Sequence, residues 1–276
     1  MNHTEHQVEF VEYGKKEGRL VVYFHGVPGA VEECALFDSC AKDHNLRILS
    51  FDRFSIDNSL DRENYYRTIG DQIRLKAGIE PVDIIGFSIG AHVALEVSAL
   101  INDKVRYTHL ISAAAPLNAG DFIDSMAGGS IFKLAMKTPF IFLLLTQYQK
   151  ILALLAPRML VNILFASSAG KDKELSKKPD FKSYITPVLT RCFRSRTKGY
   201  IRDVDYYVTW LGNLSRNKTS VYLWHGTKDN WSPFSMASYL CKAIPGATGI
   251  EAMEGLSHYS CLYEAVPRIC ARLEKS

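Results

Sequence analysis

Two apolar rhythms alternate along this chain. Residues 19–24, 46–51, 82–85, 105–113 and 220–224 are short apolar runs bounded by turn-forming residues, as strands buried on both faces would be. Residues 8–13 alternate apolar and polar positions and predict an edge strand or hairpin arm, and 248–253 predict the last strand. Between these runs, 32–43, 64–77, 89–101, 232–243 and 259–275 read as helices. Short strands alternating with longer helices predict a mostly parallel sheet covered on both faces. The alternation stops near Leu117. From there to about Leu214 the chain reads as helical, apolar in its first half and basic in its second. The pattern therefore divides into an α/β core, residues 1–116 and 215–276, and a helical insertion, residues 117–214.

Composition narrows this picture without redirecting it. A chain of 276 residues has room for one large α/β domain with an insertion, and 47% hydrophobic with 22% charged residues is ordinary for a soluble globular protein. The net charge of +4 is modest, and no Lys/Arg block is long enough to suggest nucleic acid as a partner. The densest, residues 191–198, reads as a solvated surface segment. Cys34, Cys40, Cys192, Cys241, Cys261 and Cys270 form no CxxC pair and no metal-ligand spacing with histidine, so no metal is expected. Scattered unpaired cysteines favour a reducing, cytoplasmic setting, and the polar residues 1–7 lack the apolar core of a secretion signal. Residues 131–169 are strongly apolar, but Lys137, Pro139, Lys150, Pro157 and Arg158 break them into pieces shorter than the ~20 residues a membrane span requires. They read as short amphipathic helices with no transmembrane segment.

The chemistry is carried by Gly86-Phe87-Ser88-Ile89-Gly90, which follows an apolar run and opens a helical stretch. That is the strand, tight turn and helix context of a nucleophile elbow, where small neighbours let strand and helix approach around a strained serine. A serine hydroxyl needs a base within reach, itself oriented by a carboxylate. In the chain order Ser, acid, His, the candidates are Ser88, Asp229 and His258. Asp229 lies just past a strand end in His225-Gly226-Thr227-Lys228-Asp229, and His258 lies in the loop between the last strand and the last helix. Asp229 could instead cap the helix near Ser232, and Asp121 and Asp124 are rival acids. An oxyanion needs two backbone donors. Ile89, at the start of the elbow helix, and Val27, in His25-Gly26-Val27-Pro28-Gly29, are the candidates, since Pro28 has no N–H.

With these residues in place the chain is similar to the α/β-hydrolase fold superfamily, in its lid-bearing serine hydrolase branch. The likeness rests on His25-Gly26-Val27-Pro28-Gly29, Asp52-Arg53, Gly86-Phe87-Ser88-Ile89-Gly90, Leu223-Trp224-His225-Gly226 with Asp229, and Gly255 with His258. It covers residues 8–275. The resemblance implies a mostly parallel eight-stranded sheet with helices on both faces and a helical lid between strands 6 and 7. It implies no metal or organic cofactor, and a small-molecule substrate with a carboxylester, thioester or lactone bond. Acyl transfer, and ligand-binding signalling without turnover, remain open beside hydrolysis. Epoxide hydrolases and haloalkane dehalogenases are disfavoured, because they carry aspartate where this chain has Ser88. The family often follows its Asp-Arg with Pro-Gly-x-Gly-x-Ser; here it is Phe54-Ser55-Ile56-Asp57-Asn58-Ser59, so that loop is expected to differ in shape. The apolar insertion suggests an acyl pocket above Ser88, with Phe87, Met136 and Phe140 as candidate substrate-binding residues. Its apolar surplus also allows mere internal packing, or weak interfacial contact with lipid.

Overall fold

The computed structural model describes residues 8–275, and the polar stretch 1–7 lies outside them. Seven strands form one sheet among the described residues: β1 (Phe10–Gly14), β2 (Arg19–Phe24), β3 (Leu46–Phe51), β4 (Val82–Phe87), β5 (Val105–Ile111), β6 (Ser220–Gly226) and β7 (Ala247–Met253). Their spatial order is β1-β3-β2-β4-β5-β6-β7. β1 runs antiparallel to β3, and every other pairing is parallel. The inner strands are apolar because both their faces are covered. Every residue of β4 is buried, and its Asp83 is balanced by the Arg19 guanidinium at 2.5 and 2.9 Å.

Eleven helices accompany the sheet among the described residues: α1 (Asp38–Asp43), α2 (Arg62–Ala77), α3 (Gly90–Leu100), α4 (Gly129–Lys137), α5 (Pro139–Leu155), α6 (Pro157–Leu164), α7 (Asp172–Leu175), α8 (Pro179–Ser195), α9 (Thr197–Val208), α10 (Phe234–Ala243) and α11 (His258–Glu274). The expected helix over 32–43 is partly tighter, a 3₁₀ stretch over Val31–Phe37 leading into α1. The expected eight strands are seven. Among the described residues one strand, β1, precedes Arg19, and the total is seven. Helices α4 to α9 accordingly lie between the fifth and sixth strands rather than between a sixth and a seventh.

The topology positions a site. β2 sits between β3 and β4, so successive connections leave it in opposite directions and open a crevice beyond the carboxyl ends of β2 and β4. Phe24 and Gly86 are register partners, which starts the loops after β2 and β4 side by side.

The helical segment is tied down by charge as well as by packing. Arg53, fully buried after β3, pairs with Asp203 of α9 at 2.7 Å, and Tyr65 Oη donates to the other Asp203 oxygen at 3.0 Å. The same guanidinium donates to the His25 carbonyl at 2.9 Å. Gly199 lets α9 come this close, because a Cβ there would run into Phe54. The basic run over 191–198 is not simply solvated: Arg191 and Arg196 both reach Asp52, at 2.9 and 2.7 Å, and extend to Glu32 and Glu9. Three acids placed along that edge turn a basic stretch into a clasp.

Removing Asp203 strands the Arg53 charge in the interior, and a broken buried pair costs about 3–5 kcal/mol. Asp203→Ala is therefore expected to lower the urea midpoint severely, whereas Lys42→Ala, which removes an exposed pair with Asp38, should leave it nearly unchanged. Equal midpoints for Asp203→Ala and wild type would contradict this anchoring.

Candidate active site

Ser88 follows β4 with a left-handed backbone, φ +55°. For a residue with a Cβ this costs on the order of 1 kcal/mol or more, and it persists only where the surroundings enforce it. Here they do. The Ser88 N–H donates to Ile111 O at 3.0 Å, and the Ala114 N–H donates to Ser88 O at 3.1 Å, so the edge of β5 grips the turn on both sides. A Cβ on Gly86 would lie 2.7 Å from Ala91 Cα and 2.8 Å from Ala94 Cβ, and one on Gly90 would strike the carbonyls of Phe24 and His25. Both glycines are thus required for α3 to start directly against the sheet.

His258 is the first residue of α11, and its Nδ1–H donates to Asp229 Oδ2 at 2.9 Å. That hydrogen bond fixes the tautomer with Nε2 free to accept a proton. Asp229 Oδ1 accepts from the N–H groups of Trp231 and Ser232 at 2.9 and 3.0 Å. The acid therefore organises its own loop and orients His258 at once, where the sequence offered these as alternatives. Burial works to raise the Asp229 pKa, but the His258 ring, by charge and hydrogen bond, together with His225 and the Ser232 amide, outweighs it and holds the carboxyl below the usual value. The rival Asp124 is exposed and paired with Lys133. His225 donates from Nε2 to the Ser232 carbonyl at 2.7 Å, a structural bond.

Ser88 lines a cavity of about 300 Å³, of a size suited to a small ligand. Its walls come from Val27 and Ile89 below, from Met126, Ile131, Phe132, Leu145, Ile163 and Leu164 of the helical segment above, and from Trp231. Trp231 stacks on the His258 ring, 5.3 Å between centroids at 18°. Gln149 adds a buried polar group to the wall, and its Oε1 has no hydrogen-bond partner. Ser88 Oγ and His258 are not hydrogen-bonded to each other in this structure. The N–H groups of Val27 and Ile89 donate to no protein acceptor among the described residues.

Phe87, Met136 and Phe140 do not line the cavity. Phe87 is fully buried beneath the histidine, its ring 4.8 Å from that of His258. Met136 and Phe140 face outward, 39% and 71% exposed, because helical rotation turns Phe132 and Leu145 inward instead. No three acidic, histidine or cysteine side chains group as a metal site among the described residues.

Two supporting residues carried no sequence signal. Asp172 of α7 accepts from the N–H groups of Tyr259 and Ser260 at 2.9 and 2.7 Å, capping α11 immediately after His258. Glu33 is buried beneath the loop after β2, where its Oε2 accepts from Gly26 N–H at 2.8 Å and Tyr23 Oη at 2.9 Å. Burial pushes its pKa up to about 7, against the opposing pull of those hydrogen bonds and of Arg53 and His258.

With this geometry in view, comparison with known proteins is direct. Residues 21–273 match the alpha/beta hydrolase family model. The chain belongs to the alpha/beta hydrolase family. A search of curated proteins finds no match. Among solved structures, an esterase from Exiguobacterium antarcticum superposes with a TM-score of 0.66 at 16% identity, covering 98% of this chain and 96% of that one. A bromoperoxidase from Bacillus anthracis gives 0.66 at 16%, covering 96% and 93%. MGS-M2, an alpha/beta hydrolase enzyme from a Medee basin deep-sea metagenome, gives 0.69 at 16%, covering 96% and 92%. At these identities the likeness is one of fold.

The Glu33 environment has a measurable consequence. A carboxyl whose pKa rises from 4.5 unfolded to about 7 folded stabilises the fold most below the lower value. That stability is lost as pH rises through this window, by about 3 kcal/mol at 1.36 kcal/mol per unit. Glu33→Gln mimics the protonated form, so wild type should lose stability relative to the variant between pH 4.5 and about 7, read by urea unfolding. A difference independent of pH would contradict it.

Proposed function

We propose that the protein is a serine hydrolase acting on a carboxylester, thioester or lactone bond of a small apolar substrate. One observation carries the reading: a serine held in a left-handed turn lines an apolar cavity, next to the tryptophan that stacks on an Asp-oriented histidine. Ser88 Oγ attacks the substrate carbonyl carbon while His258 Nε2 takes its proton, a side-chain rotation bringing the two into contact. The carbonyl oxygen becomes an oxyanion held by the Val27 and Ile89 N–H groups, the latter at the start of α3, where the helix dipole adds to the effect. Collapse expels the alcohol or thiol, which takes the proton from His258 and leaves an acyl group on Ser88. Water, deprotonated by His258, then attacks the acyl carbon and restores the serine. Asp229 stays ionised and holds the ring.

Residues 117–214 act as a lid over the serine. Met126, Phe132 and Leu145 would surround an acyl chain, and the unpartnered Gln149 Oε1 would accept a hydrogen bond from a polar group on the substrate. Neither step calls for a metal or an organic cofactor. Six free cysteines suit a reducing compartment such as the cytoplasm.

Kinetics on a p-nitrophenyl ester series test the reading. Turnover should favour medium-length acyl groups over acetyl, and Ser88→Ala should lower kcat by on the order of 10⁶ with the fold intact, as in other serine triads. Activity unchanged in Ser88→Ala, or best on acetate, would overturn it.

A further inference from the structure

Exposed apolar surface is concentrated on one part of the molecule. Of the 14 large hydrophobic side chains that stand exposed among the described residues, 11 lie between Met136 and Ile163. α5 buries Phe142, Gln149 and Leu152 on one side. Its other side carries Phe140, Leu144, Ile151 and Leu155, which are 71, 53, 53 and 81% exposed. A helix apolar all round is ordinarily buried on every side, and exposed patches of this kind mark an interaction site. No described helix is long and apolar enough to cross a membrane, so this face would lie on an apolar layer rather than pass through it.

Charge selects the occupant. Between Asp124 and Asp172 the chain contains no Asp or Glu, yet it carries Lys133, Lys137, Lys150, Arg158 and Lys171. Lys137, Lys150 and Arg158 form no salt bridge among the described residues. A second copy of this chain docked face to face would bring cations against cations. A layer that is apolar within and negative at its surface satisfies both features. We propose that the outer face of α5 and α6 seats on an anionic lipid bilayer, with its apolar side chains at the acyl boundary and Lys137, Lys150 and Arg158 among the headgroup phosphates. Ile163, 47% exposed, also lines the cavity, so the bilayer-facing surface is continuous with the cavity wall. Docking goes beyond the hydrolytic reading and needs no turnover.

The test is co-sedimentation of the full chain with vesicles of equal parts phosphatidylcholine and phosphatidylserine, beside vesicles of phosphatidylcholine alone. The protein should bind the anionic vesicles, and binding should weaken in high salt and on phosphatidylcholine. Phe140→Ser, Leu144→Ser and Leu155→Ser should each reduce partitioning about tenfold, the worth of withdrawing one such side chain from an apolar phase. Lys137→Ala, Lys150→Ala and Arg158→Ala should each cost about fivefold. All six positions lie outside the cavity, so melting temperatures should match wild type and separate lost docking from lost folding. Binding to neither vesicle overturns the proposal, as does equal, salt-insensitive binding to both. A wild-type dimer that the serine substitutions convert to monomer, without vesicle binding, would assign the face to a second copy instead.

Discussion

The arrangement rests on the contact between the turn at Ser88 and the strands beside it. Glycine at 86 and 90 removes the two Cβ atoms that would hold α3 away from the sheet. The backbone hydrogen bonds from Ser88 to Ile111 and from Ala114 to Ser88 then force a residue with a side chain into left-handed geometry. The loop after β2 lies against the same turn, since Gly90 abuts the carbonyls of Phe24 and His25. Strain at one residue is thereby borne by three strands. The serine, the two unengaged amides of Val27 and Ile89 and the cavity floor become parts of one rigid piece.

Around that piece the helical segment is fastened at three points, two of them next to loops of the site. Arg53 joins α9 to the carbonyl of His25, and Asp52 joins the end of α8 to the end of β3. Asp172 ties α7 to the start of α11, next to His258. Of these helices α9 lines the cavity itself, through Tyr200 and Val204, while α7 and α8 hold the helical segment in place around it. The roof over Ser88 is thus set by buried and part-buried ion pairs and a helix cap. Between these anchors, α5 and α6 turn their apolar outer faces to solvent.

Much of this was legible in the sequence, for a physical reason. A parallel sheet buried on both faces writes itself as short apolar runs, and active groups in such a fold must follow strand ends. The proposed active residues Ser88, Asp229 and His258 accordingly stand beside recognisable turns, and so do the proposed oxyanion donors Val27 and Ile89. Glu33 and Asp172 gave no such sign, because their roles depend on burial and on partners such as Tyr259 that are far along the chain. The inward face of α5 was equally unreadable: a helix with apolar residues on every side has no periodicity to point Phe140 toward or away from the cavity. The basic run over 191–198 looked solvated because Glu9, Glu32 and Asp52 reach it only through the fold. The count of eight strands came from likeness to a family, while the residues themselves wrote seven.

The most direct test of the central claim, an activated nucleophile at the elbow, is intact-mass analysis after treatment with a fluorophosphonate, followed by peptide mapping. The account predicts a single adduct, located on the peptide containing Ser88 and absent from Ser88→Ala. A folded wild-type protein that acquires no adduct, or one modified elsewhere, would contradict it.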